Sequence, residues 1–206
     1  MKPQQQLRDN VVEERARHAN YLVERARRSA PGRCFFVDES GIALGMRANY
    51  GWARRGKRCE CYAPYRAPGR RSLVDWTTSE GSGQVPVVEG SVKRATFAYL
   101  MRRFLVPRLR VGNTVIWDKH TIHVDQMLKA EIAAKGAHVR PLPRYSPDLN
   151  PAEMLWSKPK SGLRRAFSDT VEQMEQALGE AGRQFGSAEV AVWARHCGFT
   201  DQHQSV

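Results

Sequence analysis

The sequence predicts an α/β fold in which a mixed β-sheet is flanked by helices. Short apolar runs typical of buried strands lie in the first half of the chain, and from Thr96 onward helix-like and strand-like segments alternate. Strands followed by such an alternation favour a mixed sheet with helices packed against it. Its short connections leave the carboxyl ends of strands at one edge, and Asp38 and Asp118 each close such a run.

The first half of the chain begins with a helix. Leu7 to Ala30 has apolar residues at roughly helical spacing, and Pro31-Gly32 ends the segment. Arg33 to Val37 predicts a buried strand. Because Gly41 allows a turn, we expect Ile42 to Met46 to return as the second strand of a hairpin. Two further strands are predicted at Ser72 to Thr77 and Val85 to Val88, separated by a Gly-rich turn at 79–83.

The second half reads as helix, strand, helix, strand, helix. Asn150 is typical of a helix cap, with Pro151 at the first helical position, and Pro159 lies inside the helix that follows. A proline there removes one backbone hydrogen bond and costs about 3 kcal/mol unless the helix kinks or ends. The other predicted helices are Thr96 to Leu105, Val124 to Lys135, Val171 to Phe185 and Ala188 to His196, and the predicted strands are Thr114 to Trp117 and His138 to Leu142.

The chain is strongly basic. It contains 33 Lys and Arg residues against 21 Asp and Glu residues, which gives a net charge of +12. A polyanion is the natural partner of such a surface, although a generic basic protein would carry the same charge. The segment 47–71 combines eight basic residues with one acidic residue and four aromatic ones. It reads either as a DNA-contacting hairpin or as a solvated strand pair whose aromatic rings lie in the core.

The sequence contains no apolar run near the roughly 20 residues of a membrane span, and its polar N-terminus lacks the apolar core of a signal peptide. Four scattered cysteines do not form the pattern of a disulfide framework. We therefore expect a cytoplasmic protein without a membrane partner.

Three acidic residues predict a metal site. Asp38 and Asp118 lie at expected strand ends, and Glu153 lies on the capped helix. Three carboxylates from separate elements suit magnesium, and a pair of such ions can promote phosphodiester cleavage. Each residue also has a structural interpretation, because Asp38 could cap a turn, Asp118 could pair with Lys119, and Glu153 fits a capping box.

The residues Val37 to Gly41, the pattern Asp118-x-x-x-x-His123 and the segment Tyr145 to Lys158 together resemble the mariner-type superfamily of DDE transposases, a group of DDE superfamily endonucleases. The similarity points to the bacterial insertion-sequence branch and covers roughly residues 34–200. Thirty-four residues separate Asp118 from Glu153, an interval typical of that branch.

The resemblance implies an RNase H-like fold with a mixed five-stranded sheet. It also implies a catalytic triad of Asp38, Asp118 and Glu153 that binds two Mg²⁺ ions, for which Mn²⁺ can substitute. The implied reaction is hydrolysis at transposon ends followed by strand transfer into target DNA, at TA sites, by a homodimer on DNA. Candidate DNA contacts are Arg47, Arg54, Arg55, Lys57, Arg58, Lys119, His123, Lys158 and Lys160.

The chain departs from the family pattern in three places. Lys119 replaces the usual Asn after the second acid, Pro159 stands where an apolar residue is usual, and only about 33 residues precede the first strand, where the family carries a helix-turn-helix module. We therefore expect an N-terminal helical segment (1–32), a catalytic domain (33–167) and a C-terminal helical extension packed on it (168–206). The recognition module would be separately encoded or lost. An inactive, truncated DNA-binding remnant is the alternative function, and a nuclease for RNA–DNA hybrids is a third.

Overall fold

The computed structural model describes residues 5–26, 33–43, 45–46, 51–60, 70–78, 81–84, 87–166, 170–182 and 187–199. The expected DNA contact Arg47 lies outside these residues, as does the side chain of Lys158. Within the described parts of the chain, no helix is both long and apolar enough to span a membrane.

The described strands form one mixed sheet. Their bounds are Cys34–Ala43 for β1, Arg70–Thr78 for β2, Gly81–Gln84 for β3, Val88–Glu89 for β4, Thr114–Trp117 for β5 and His138–Pro141 for β6. Five of them lie side by side in the order β3-β2-β1-β5-β6. The short β4 pairs with the beginning of β2, on the same edge on which β3 pairs with its end. The central strand β1 is antiparallel to β2 and parallel to β5, which is parallel to β6.

The expected hairpin at Gly41 is wrong. Strand β1 continues through Gly41, which pairs with Ser72 of β2, and a positive φ of 71° occurs at Gly45 instead. The long β1–β2 ladder satisfies the backbone groups that a turn at Gly41 would have left to solvent. A Cβ atom at this position would lie 2.9 Å from the end of the flexible Arg70 side chain, so a larger residue would require only that this guanidinium shifts. The expected Gly-rich turn at 79–83 is also partly wrong, because Gly81–Gln84 forms β3.

The helices lie close to their expected positions. Helix α2 (Arg94–Leu100) continues into a π-helical turn, Met101–Leu105, and a short 3₁₀ turn around Pro107. Helix α4 (Pro151–Ala166) starts at the expected Asn150 cap, whose Oδ1 accepts a hydrogen bond from the Ala152 amide, and it does not end at position 159. The other helices are α1 (Asp9–Ala26), α3 (Gln126–Ala134), α5 (Val171–Gly182) and α6 (Ser187–His196).

Alternating residues of β1 bury both faces of the sheet. Phe35 and Val37 pack with apolar residues of α2 and α3, whereas Cys34 and Phe36 pack with α4 and α6. Helix α1 lies on the second side, where Tyr21 joins the apolar cluster and Arg15 forms a two-pronged ion pair with Asp148. Helices on both faces hold the carboxyl ends of the central strands in a rigid frame.

The core contact between β1 and the C-terminal region is testable with Phe36→Ala. Phe36 is 1% exposed, and its ring meets that of Phe199 edge-on at 4.5 Å. We expect this substitution to lower the free energy of unfolding by about 3–5 kcal/mol, because it removes apolar contacts and leaves a cavity. The control Val111→Ala, at an 84% exposed residue, should change it by less than about 0.5 kcal/mol. Chemical denaturation measures both, and equal effects would contradict the packing described here.

Candidate active site

Three acidic side chains line one cleft at the carboxyl end of the central strands. The cleft has a volume of about 470 Å³, and its wall includes Asp38, Asp118 and Glu153. The parallel register pairs Phe36 with Ile116, so two residues further on Asp38 comes opposite Asp118. Asp38 is not at a strand end, as the sequence suggested, because β1 continues along β2. It lies where the parallel pairing with β5 ends.

Glu153 reaches the cleft from the first turn of α4. The capping-box interpretation requires its carboxylate to accept the Asn150 amide, but that amide donates to the Pro147 carbonyl at 3.0 Å. The Asn150 side chain supplies the cap instead. The Glu153 carboxylate is exposed on the wall of the cleft and is available to a ligand.

Asp38 is the most buried of the three carboxyl groups. The indole Nε1 of Trp156 donates a hydrogen bond to its Oδ2 at 3.1 Å. Burial raises the pKa of Asp38 to about 8, and the negative charges of Glu153, Glu39 and Asp118 add to this shift. The cleft therefore concentrates negative charge that only a proton or a cation can relieve.

The carboxylate of Asp118, unlike that of Asp38, is stabilised in its charged form by neighbouring donors. Its Oδ1 accepts a hydrogen bond from the His120 amide at 2.9 Å, and His123 Nδ1 lies 3.0 Å away. Burial opposes ionisation, but these contacts outweigh it and lower the pKa of Asp118. The expected pairing of Asp118 with Lys119 is replaced by another contact, because the Lys119 ammonium lies 2.7 Å from Glu14 of α1.

The buried side chain of His123 contacts two acidic residues, Glu39 and Asp118. It is 3% exposed, and its ring stacks on Trp117 with centroids 5.4 Å apart. Its Nε2 lies 2.8 Å from Glu39 Oε1, while its Nδ1 faces Asp118. Burial lowers the pKa of His123, but the two carboxylates outweigh it and raise that pKa to about 10. This burial and these partners favour a role in holding Asp118 over direct contact with DNA.

Sequence reasoning missed Asp75 on strand β2. Asp75 is directly opposite Asp38 in the antiparallel ladder and is 3% exposed. Its Oδ1 has no hydrogen-bond partner among the described residues. Burial raises the pKa of Asp75 to about 8, with a further contribution from Asp38. The signal in the sequence was an acid inside the apolar run Leu73 to Trp76, where a charged group is unexpected.

The expected DNA contacts lie on different surfaces. Four of them are exposed, and the neighbouring Trp52 side chain is 101% exposed. The four are Arg54, Arg55, Lys57 and Arg58. This exposure disfavours the interpretation that the aromatic rings of this segment fill the core, although only Trp52 is described. Lys119 lies on the cleft wall, and Lys160 is half-buried on α4.

The donor chemistry of the cleft fits magnesium. Carboxylate oxygens are the ligands that Mg²⁺ prefers, and the charges of Glu153 and Asp118 add to the burial that raises the pKa of Asp38. Within the described ranges, no three His, Cys, Asp or Glu side chains already converge at metal-ligand spacing. The three carboxylates thus share a cleft without forming a closed cage.

The comparisons with known proteins agree with this geometry. Residues 33–175 match the family model of the DDE superfamily endonucleases. The chain belongs to this family. No curated protein matches the chain.

The fold of this DDE superfamily member is similar to that of the Mos1 transposase. A pre-cleavage Mos1 transpososome matches 93% of this chain and 60% of that chain, with 17% identity and a TM-score of 0.76. The Mos1 mariner paired-end complex with Mn matches the same shares at a TM-score of 0.70 and 17% identity. The Mos1 mariner catalytic domain matches 93% of this chain and 89% of that chain, at 15% identity and a TM-score of 0.66.

The present chain thus spans about 60% of the length of the Mos1 chains in the first two structures. At this level of identity, the likeness confirms the expected RNase H-like fold. The bacterial branch of the resemblance and the division into three domains stay predictions.

The buried carboxyl group of Asp75 predicts a pH-dependent stability. Because its folded pKa lies near 8 and the ordinary pKa of an Asp is 3.8, the folded state retains a proton that the unfolded chain releases between these values. That contribution is complete at low pH and is lost progressively as the pH rises from 3.8 to about 8. We expect Asp75→Asn to stabilise the protein at pH 9 by several kcal/mol relative to wild type, and by much less at pH 5.

Urea denaturation of both proteins at the two pH values measures this difference. The exposed acid Glu175 on α5 offers a matched control, since Glu175→Gln should show no comparable change with pH. An equal effect of Asp75→Asn at pH 5 and pH 9 would contradict the burial of an ionisable group at this position.

Proposed function

We propose that this chain is the catalytic domain of a DNA transposase, which hydrolyses phosphodiester bonds at transposon ends and transfers the freed strand into target DNA, at TA sites. The observation that carries the proposal is the single cleft that Asp38, Asp118 and Glu153 line. Its concentrated negative charge lies within a chain of net charge +12 that belongs to an endonuclease family. A basic surface would bring the DNA, and the acidic cleft would hold the metal ions.

The three carboxylates would hold two Mg²⁺ ions, for which Mn²⁺ can substitute. When bound, such ions activate water and stabilise charge on the attacking and leaving oxygens. The protein's own part is positioning. The Trp156 indole holds one oxygen of Asp38, and the His120 amide with His123 holds Asp118. The Asn150 cap fixes the start of the helix that carries Glu153, whose own carboxylate is exposed to the cleft.

DNA is the proposed partner. The exposed groups around Trp52, Arg54 and Lys57 suit contacts with phosphates and bases, and Lys119 lies on the wall of the catalytic cleft. We propose a homodimer on DNA that recognises terminal repeats through a helix-turn-helix segment outside these 206 residues. Two of the similar structures are Mos1 complexes described as paired-end and strand-transfer complexes. Nucleoid DNA in the cytoplasm is the expected setting.

An inactive DNA-binding remnant is the competing function, and Lys119 and Pro159 favour it in the sequence. Two observations weaken that case. The Lys119 ammonium has a partner in Glu14 outside the triad, and helix α4 continues past position 159. The extended helix keeps Glu153 on a rigid element, as a metal ligand requires.

Substitution of the triad separates the two functions. We expect Asp38→Asn, Asp118→Asn and Glu153→Gln each to reduce Mn²⁺-dependent cleavage of DNA bearing the cognate transposon ends to background, because a metal ligand is lost in each case. DNA affinity should stay within a few-fold of wild type. Nicking of labelled duplex, with the recognition segment supplied, measures cleavage. The control Glu175→Gln should cut normally, and full activity of Glu153→Gln would refute the assignment.

Metal binding should release protons near neutral pH. Because the pKa of Asp38 is about 8, its carboxyl group is mostly protonated at pH 7 and must lose that proton to bind a cation. We expect Mn²⁺ affinity to rise as the pH increases from 6 towards 8. Calorimetry in two buffers of different ionisation enthalpy measures the released proton. The same Mn²⁺ enthalpy in both buffers would contradict Asp38 as a ligand, and Asp38→Asn should abolish the difference between buffers.

A further inference from the structure

A second cavity lies beside the catalytic cleft, between α1 and strand β6. It has a volume of about 250 Å³ and includes Arg17, His18, Lys119 and Arg140 in its wall, with Glu14 opposite them. Lys119 and Pro143 also line the catalytic cleft, so the two cavities are neighbours that share one wall. Three cationic side chains against one carboxylate make this cavity a place where an anion is favoured.

Buried donors in this cavity lack partners. His18 is 2% exposed, and among the described residues neither of its ring nitrogens has a hydrogen-bond partner. The Nε atom of Arg140 is likewise buried and unpaired within that part of the chain. Unpaired buried polar atoms are costly, so a pair of them at one cavity points to a ligand that supplies acceptors. Burial and the charges of Arg140 and Arg15 lower the pKa of His18 to about 4, which leaves a neutral ring with one N–H donor.

The carboxylate of Glu14 already lies in the wall of this cavity. The Glu14 carboxylate lies 2.7 Å from the Lys119 ammonium and accepts the Arg144 amide at 2.9 Å. The same surroundings lower the pKa of Glu14 despite its partial burial. The cavity is therefore built to hold acceptor oxygens. Glu14 meets part of this demand next to Lys119. One terminal nitrogen of Arg140 donates to the Arg17 carbonyl at 3.2 Å, whereas the Arg140 Nε and the His18 ring stay without hydrogen-bond partners among the described residues.

We propose that this cavity is a binding site for a DNA backbone phosphate adjacent to the scissile phosphate. The inference rests on the proposed function, because it takes DNA to run through the neighbouring cleft. A phosphodiester offers acceptor oxygens and a negative charge, which match the unpaired donors and the cations. In this arrangement Arg17, His18 and Arg140 bind the flanking phosphate, and Glu14 opposes it by repulsion.

The salt dependence of duplex binding tests the site without metal or cleavage. Each neutralised phosphate contributes about 0.9 to the slope of log affinity against log salt. We expect Arg17→Gln to reduce the slope by about that amount, and because its side chain is 67% exposed the substitution leaves the packing of the fold unchanged. Lys129→Gln, at a partly exposed residue of α3 on the other face of the sheet, should leave the slope unchanged. Equal slopes for Arg17→Gln and Lys129→Gln would overturn the proposal.

Glu14→Gln provides a test of opposite sign. It removes the one negative charge in the cavity, so we expect tighter duplex binding, by about threefold to tenfold. The control Glu175→Gln makes the same change in net charge on α5 and should have a clearly smaller effect. A loss of affinity in Glu14→Gln, with the melting temperature unchanged, would contradict the site.

The ring signals of His18 in NMR spectra distinguish the source of the phosphate. They can be assigned by comparison with His18→Gln. We expect a short duplex to shift these signals in wild type at concentrations where inorganic phosphate alone does not. A shift with inorganic phosphate but none with duplex would indicate a site for small free anions and would overturn the DNA assignment. If the duplex shifts the His18 signals but the wild-type protein does not cut DNA bearing the cognate ends, the phosphate site stands and the proposed catalytic function fails.

Discussion

The parallel pairing of β1 with β5 is the constraint on which the rest of the site depends. It aligns Phe36 with Ile116 and so brings Asp38 opposite Asp118, although 80 positions separate them along the chain. Backbone hydrogen bonds set this register, and a shift by one residue would turn Asp38 to the other face of the sheet. Such a shift would also move each apolar side chain of β1 into the core on the opposite face of the sheet. Because the two cores are packed by different residues, the apolar contacts oppose the shift.

Around this register the protein places carboxyl groups whose ionisation is opposed. Asp38 and Asp75 face each other across β1 and β2, Asp38 partly buried and Asp75 buried, and the pKa of each is raised to about 8, chiefly by burial. Asp118, in contrast, is held in its charged form by His123 and the His120 amide. Neighbouring carboxyl groups whose pKa values are shifted in opposite directions are typical of functional sites. In a purely structural core, apolar residues of similar size would be at least as stable as buried charged groups.

Helix α1 connects the N-terminal part of the chain to the wall of the cleft. Arg15 binds Asp148 and Ser146, and Glu14 binds Lys119. Lys119, which replaces the Asn that is usual in the family, thus contacts α1 and lines both neighbouring cavities. The contacts of α1 with Lys119, Ser146 and Asp148 hold this helix beside the catalytic cleft.

The sequence by itself determined the class of fold, most element positions and the three acidic residues of the candidate site. The signals for these features are local. They are the apolar periodicity, the Asn150-Pro151 helix start and the spacing of Asp118 and Glu153. The structure retains them because local and tertiary preferences agree at these positions. Only the tertiary structure decided that β1 runs through Gly41, that Asp75 lies against Asp38 and that Lys119 pairs with Glu14. These features depend on strand register and helix docking, which bring together residues far apart in the chain. No local pattern of residues encodes such contacts, because their energy exists only once the sheet and α1 have assembled.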